Sequence, residues 1–529
     1  MSLITPKDLG KPAAQLINYD DLMPLSAPYS EDKGGGPAEV KPEWREKYCT
    51  SLDGCVAIDT LRQPQSQEER EKLVSGFLAG LAKLFTDANK GVRQPLELSF
   101  EYCAKCNTCS EACHIFQATG AEPHRPIFRA EALRKLYRKY CGGGGPLLRR
   151  LTAGDIDATW ELIARLGELA YRCNLCRRCA QACPLGLDNS LFAKEIRKIF
   201  SSLGLAPTPI HEKGSVLQLK VGSSTGIGKA AFLDMVEFLE EDIGERIGRP
   251  LKIPVDKKNA DILLYHNAGE FVAWPENPAA YAILFNEGGL DWTLSSEAMT
   301  YDSVNYGIWY DDAQAKKIAL KQMEAMKALG VRRVVVGECG HAHKAAAVVA
   351  DRYVKAEERL PVESSFPILA EIVKSGKIRF DPAKNPFPVT LHDPCNLVRQ
   401  MGISQPQRDI LRAIAPGFRE MSPCGAHNYC CGGGSGFAIM NSPNFGAFRD
   451  HVSARMKFDQ ILRAFAPEME DASIPKYVCA PCSNCKGTIR EFFKAYKATA
   501  RYNLQYGGLV ELMVNAMSDI ETPYLEFLQ

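Results

Sequence analysis

The chain has 529 residues, 46% hydrophobic and 24% charged, a balance that matches a globular protein of roughly three or four domains. With 64 basic and 63 acidic residues the net charge is +1, so no global field favours nucleic acid or an anionic membrane, and no nucleic-acid partner is expected. The amino terminus lacks a signal-peptide pattern and no run approaches ~18 uninterrupted apolar residues, so the expectation is a cytoplasmic chain held at a membrane only through another subunit.

Residues 1–94 read as an extended amino-terminal arm with a helix; the stretch "YSEDKGGGPAEVKPEW" is too rich in Gly, Pro and charge to fold by itself. Nineteen cysteines in a chain without an export signal argue for metal or redox chemistry over a disulfide framework. Cys49, Cys55 and Cys141 have no cluster spacing and read as ordinary thiols.

Residues 95–215 carry two runs of the form C-x2-C-x2-C-x3-C. Cys103, Cys106, Cys109 and Cys113 stand in "YCAKCNTCSEACH"; Cys173, Cys176, Cys179 and Cys183 stand in "YRCNLCRRCAQACP". This is the spacing of bacterial two-cluster ferredoxins, in which the fourth cysteine of each run serves the other cluster. One [4Fe-4S] cubane would use Cys103, Cys106, Cys109 and Cys183, the other Cys173, Cys176, Cys179 and Cys113. His114 follows the first run where the second has proline. "RAEALRKLYRKY", "ATWELIARLGELAYRC" and "AKEIRKIFSSLG" have helical apolar spacing, so the module reads as a helical ferredoxin. Zinc fits less well, because its sites pair short elements and do not use two four-cysteine runs.

Residues 216–260 read as a linker. Gly222, Gly226 and Gly228 invite a nucleotide-loop reading, but neither the dinucleotide nor the phosphate-loop pattern is completed. Beyond it, "ADILLYHNAG", "VRRVVVGECG", "FPVTLHDPCN" and "PKYVCAPC" read as buried strands in parallel α/β units, with "AKKIALKQMEAMKALG" a helix between the first two. Residues 261–385 form one half, 386–515 a second, and 516–529 a tail. In the second half Cys395, the adjacent Cys430 and Cys431, Cys479 and Cys482 would converge where α/β sheets place their sites. Gly432, Gly433 and Gly434 supply the sharp turn that lets neighbouring thiols serve one assembly. Five thiolates suit an iron–sulfur assembly more open than a cubane. Cys424 and Cys485 are extra thiols nearby, and His392, His427, Arg399 and Lys486 are candidates to donate protons or stabilise thiolate.

These residues resemble the cysteine-rich CCG domain of heterodisulfide reductases: Cys395, then Cys430-Cys431-Gly432, then Cys479 and Cys482. The resemblance implies a helical two-[4Fe-4S] module followed by a pseudo-duplicated α/β CCG domain, α+β and multidomain in class. It implies a noncubane [4Fe-4S] cluster that cleaves disulfides at those five cysteines. The first half is degenerate, with Cys339, His341 and His343 left where the motif would stand. The whole arrangement is similar to the branch of the family serving the Dsr membrane complex. Implied partners are a haem b quinone-interacting membrane subunit at the inner membrane, other Dsr complex subunits and a small DsrC-like sulfur carrier, with a protein disulfide or trisulfide as substrate. Iron–sulfur subunits of flavin-dependent glycolate, lactate or glycerol-3-phosphate:quinone oxidoreductases share the same motifs and are the alternative.

Overall fold

The computed structural model describes residues 4–11, 16–29, 36–48, 52–143, 145, 147, 149, 151 and 156–527; Cys49 and part of the Gly-rich arm segment fall outside them. The ferredoxin module is built from helices α1 (Gln67–Lys83), α2 (Lys90–Tyr102), α3 (Pro126–Tyr140), α4 (Trp160–Tyr171) and α5 (Asn189–Ser202). Their starts are written in the sequence: the side chains of Ser66, Thr159 and Asp188 accept the orphan backbone N–H groups of Glu69, Leu162 and Ser190. Apolar faces including Phe77, Leu81, Leu133, Leu136, Ile163, Leu166, Ile196 and Phe200 close one core around these five helices.

The amino-terminal segments pack onto this module. Val56, Ala57 and Ile58 are fully buried, the last two in its core. Arg172 donates to both carboxylate oxygens of Asp53 at 2.5 and 2.8 Å, to Glu168 at 2.8 Å and to the Cys55 carbonyl at 2.5 Å, all out of solvent. Burial pushes the Glu168 carboxyl up to about 8. Further back, Ser26 bonds Asp459, and Tyr29 packs edge-on against Phe458 and Tyr496 of the last domain. The arm is therefore a strap across the described parts of two domains, because its few apolar residues find pockets that its composition does not reveal.

The glycine stretch expected to be a linker is helical on both sides: Leu217–Val221 ends at Gly222 with φ +90°, and α6 (Lys229–Arg246) follows. No strand precedes the glycines among the described residues, which removes the context a nucleotide loop needs. Phe232, Val236, Leu239 and Ile243 of α6 join the core of the α/β domain, so this segment belongs to the fold it leads into.

Two four-stranded parallel sheets follow, with the same strand order. The first runs β2-β1-β3-β4, from β1 (Ile262–Tyr265), β2 (Trp292–Thr293), β3 (Arg333–Val336) and β4 (Val362–Ser364), with α7 (Asp312–Ala328) leading into β3. The second runs β6-β5-β7-β8, from β5 (Val389–Leu391), β6 (Phe418–Arg419), β7 (Lys476–Cys479) and β8 (Leu504–Gly507). The repeated order is the pseudo-duplication. The two-residue edge strands β2 and β6 carry too little alternation to be read from sequence. The inner strands are buried on both faces. Ile262 and Leu264 of β1 meet Val389, Leu391, Tyr477 and Cys479 in one shared core, while Leu263, Val334 and Val336 line the outer face of the first sheet and Val478 the outer face of the second. Among the described residues no helix is long and apolar enough to cross a membrane.

Candidate metal centre

Among the described residues every cysteine is free. Cys103, Cys106, Cys109 and Cys183 line one cavity of about 210 Å³. Cys113, Cys173, Cys176 and Cys179 line a second, of about 30 Å³. The structure thus sets the fourth cysteine of each run beside the first three of the other. Both loops turn in the same way: Lys105 and Asn107 flank Cys106 at φ +56° and +64°, and Leu175 and Arg177 flank Cys176 at +50° and +61°. Two such left-handed excursions without glycine cost roughly 1–3 kcal/mol each, strain that is retained where the site is over-determined. Burial pushes the Cys113 thiol up to about 11 and that of Cys179 well above its ordinary value, while the exposed Cys106 is lowered by its bond to Thr108. Four thiols with no disulfide partner in each cavity form a donor set suited to an iron–sulfur cluster, with ligation releasing their protons.

A second array begins where the first ends. The Cys430 thiol is in hydrogen-bonding contact with those of Cys176, Cys395 and Cys431; Cys431 continues to Cys485, and Cys485 to Cys482. Thiols that donate along this chain, Cys430 and Cys485, are raised, and those that accept, Cys176, Cys431 and Cys482, are lowered by the bonds from their neighbours. The adjacent pair can share one site because the backbone folds back immediately afterwards. Gly432 has φ +93°, and a Cβ there would sit 2.7 Å from the Ala454 nitrogen; a Cβ on Gly433 would lie 1.7 Å from Thr488 Oγ1.

The structure gathers Cys395, Cys430, Cys431 and Cys482 but leaves Cys479 out. Its place is taken by Cys485. The reason is the two-residue period of β7: Tyr477 and Cys479 point into the core shared by the sheets, whereas Val478 and Ala480 point to the outer face where the thiols gather. Cys482 caps α8 (Ser483–Ala495) and Cys485 lies in its first turn, so both return to the outer face. In "CAPCSNC" the same C-x2-C spacing occurs twice, and only strand register separates the two pairs. Cys424 is half-buried in the preceding loop, next to Gly425, whose N–H bonds Asp393.

Several bonds hold the two arrays together. Asn174, inside the second ferredoxin run, donates to the Gly432 carbonyl at 2.9 Å and accepts from Ser453 Oγ at 2.9 Å and His114 Nε2 at 2.7 Å. That is what His114 does in the position of the usual proline. Arg399 donates to the carbonyls of Cys176, Ala426 and Asn428, and the buried Arg197 donates to those of Cys173 and Ser435. His427 is exposed and contributes its carbonyl to Arg178. Lys457 is fully buried beside the array; its ammonium has only neutral partners, Asn428 Oδ1, Gln460 Oε1 and Met421 Sδ, and burial lowers it to about 7. His392 is buried against Cys431 and Cys485. Asn174 and Lys457 had no signal in the sequence, being single polar residues without a spacing rule, whereas Cys485 stood there as an extra thiol at C-x2-C spacing from Cys482.

The degenerate half adds packing and charge. Cys339 lies near Cys482 but at the amino end of a short helix, accepting from Ala342 N at 3.4 Å. His341 Nε2 accepts from Asn305 N at 3.0 Å, and His343 bonds the Cys339 carbonyl and Ser364 Oγ, both at 2.9 Å. These side chains do not converge as a metal site. Lys486 faces Glu511 at 3.5 Å; burial opposes its charge, and the Glu511, Glu270 and Glu338 carboxylates outweigh that. Glu338 accepts from the backbone N–H groups of Leu509 and Val510 at 2.7 and 3.0 Å, and burial pushes it up to about 8. Lys486 therefore serves the join between the halves.

Residues 99–187 match the family model of a 4Fe-4S dicluster domain, and residues 389–490 that of the cysteine-rich CCG domain. Over 528 aligned residues the chain is 26% identical to the Hdr-like menaquinol oxidoreductase iron-sulfur subunit 2 of Archaeoglobus fulgidus, covering 91% of each chain. It is 24% identical over 347 residues to a subunit of the dihydromethanophenazine:CoB–CoM heterodisulfide reductase of Methanosarcina acetivorans, covering 64% of this chain and 79% of that one. To the EtfAB:quinone oxidoreductase of Syntrophomonas wolfei it is 25% identical over 366 residues, 64% of this chain and 48% of that one. Both cysteine-rich arrays fall inside the matched segments.

Proposed function

Because the chain is a heterodisulfide-reductase-like iron–sulfur protein, an oxidoreductase subunit, we propose that it exchanges electrons between a quinone-linked membrane partner and a protein disulfide or trisulfide. The observation that carries this is the unbroken run of thiols from Cys176, in the second ferredoxin group, through Cys430 and Cys431 to Cys485 and Cys482. Cys103, Cys106, Cys109 and Cys183 would hold one [4Fe-4S] cubane, and Cys113, Cys173, Cys176 and Cys179 the other. Cys395, Cys430, Cys431, Cys482 and Cys485 would hold a noncubane [4Fe-4S] assembly. When bound, these clusters supply one-electron transfer and, at the last, a soft site for sulfur.

Cleaving a sulfur–sulfur bond takes two electrons and two protons and yields two thiols, whereas a relay of cubanes delivers electrons singly. The residues around the last array answer that mismatch. The Lys457 ammonium, with neutral amide partners, places positive charge where thiolate character builds up. Arg399 and Asn174 fix the Cys176 loop against the CCG loop, holding donor and acceptor thiols in contact. The quinone side rests on the names of the relatives; a haem b membrane subunit and a DsrC-like carrier are the partners this reading predicts.

Chemical analysis of anaerobically purified protein should find about twelve irons and as much sulfide, from three four-iron clusters. Cys431→Ala should keep about eight irons and lose disulfide-linked turnover. Full turnover in that variant refutes the proposal. The likeness to an EtfAB:quinone oxidoreductase supports a second reading, a flavin-fed chain to quinone. Co-purification of a flavin subunit without haem b would select it.

A further inference from the structure

His392 follows β5 directly, and its N–H donates to the Cys479 carbonyl at 2.8 Å, continuing the ladder with β7. Strand alternation then fixes where its side chain goes. Val389 and Leu391 enter the shared core, so His392 projects to the outer face with the thiols. There it is 1% exposed, neither Nδ1 nor Nε2 meets a nitrogen or oxygen partner, and the ring faces the Cys431 thiol. A buried imidazole whose nitrogens reach nothing better than a thiol is costly unless a ligand absent from the polypeptide satisfies it. The available ligand atoms of His392, Cys431 and Cys485 all lie within 4.8 Å of one another. Bonds of about 2.0–2.3 Å to nitrogen and sulfur let one ion reach all three with small side-chain shifts.

We propose that His392 is a nitrogen ligand of the iron–sulfur assembly, bound to the iron that Cys431 and Cys485 also hold. This rests on the iron–sulfur occupancy proposed above. Imidazole is a suitable ligand for iron, and a neutral nitrogen in place of an anionic sulfur raises the potential of an iron–sulfur centre. Two other histidines near cysteines are already engaged: His343 bonds through both nitrogens, and His114 through Nε2 to Asn174. His392 is thereby set apart, because what its ring faces is the thiols of Cys431 and Cys485.

The test uses the full chain purified anaerobically with its clusters, grown with and without 15N-histidine, and pulsed electron paramagnetic resonance of the third centre. The expected result is a histidine nitrogen coupling on that centre, changed by the isotope and lost in His392→Ala, with both ferredoxin signals unaltered. His392→Cys should shift the midpoint potential of the third centre to a more negative value. A third centre with no histidine coupling overturns the ligand and leaves the iron–sulfur reading standing, as does a coupling that survives in His392→Ala. Absence of any third centre, with eight irons found, overturns the iron–sulfur reading and the ligand together. The labelled unsubstituted protein decides between these outcomes even if both variants fail to fold.

Discussion

Asn174→Ala tests how the two arrays are held in contact. Asn174 is 3% exposed, so every bond it makes is made in a dry environment. Three are well formed, to the Gly432 carbonyl, Ser453 Oγ and His114 Nε2, at 2.9, 2.9 and 2.7 Å. Each is worth about 1 kcal/mol net, so their loss costs about 3 kcal/mol. The substitution also strips the buried His114 ring of its amide partner, which adds about 1–3 kcal/mol. The single Ser453 O–H, released from Asn174, then donates to the Gly432 carbonyl 3.0 Å away, which limits the total to about 3–5 kcal/mol. Anaerobic thermal melts of the cluster-loaded protein should then fall by at least about 5 °C, given a few degrees per kcal/mol. Electron transfer from the second ferredoxin centre to the third should slow in the same variant. A shift below about 1 °C with unchanged transfer would refute the claim that Asn174 joins the loops.

Strand register makes a second prediction: Cys485→Ala should lose the third centre's iron, while Cys479→Ala should keep about twelve irons and cost only about 1 kcal/mol for a small packing defect. Iron and sulfide analysis decides, and equal losses in both variants would count against the register. A third concerns acid sensitivity. Burial lowers His343 to about 4, so its stabilising neutral form is fully present above about 6.5 and is lost as pH falls from there through 4. Unfolded chains bind the extra proton in that window. Between pH 6.5 and 4 the stability of the natural protein should therefore drop, relative to His343→Gln, by up to about 1.4 kcal/mol per pH unit. Denaturant midpoints across that range check it, and parallel profiles would refute the buried neutral ring.

The chain written in one dimension determined whatever depends on short-range spacing. Two four-cysteine runs at intervals of three and four spell the ligand spacing of a 4Fe-4S dicluster domain, and a crossed arrangement of their thiols is what that spacing leads one to expect. The adjacent cysteines before three glycines announce a site that no ordinary helix or strand could form, and the four apolar runs ending in small or polar residues announce the inner strands β1, β3, β5 and β7. What only the tertiary structure decided lies between segments distant in sequence. In "CAPCSNC" three cysteines are equivalent as text, yet the pleat of β7 turns Cys479 into the shared core and leaves Cys482 and Cys485 for the site. Asn174 and Gly432 lie 258 positions apart. Nothing local tells one buried asparagine to meet that carbonyl, and the amino-terminal strap likewise finds Asp459 and Phe458 only once the last domain exists to receive it. Ligand spacing is a property of one loop and can be read there; the face a residue presents depends on the register of the strand that carries it and on what packs opposite, and both are fixed only when the sheets close.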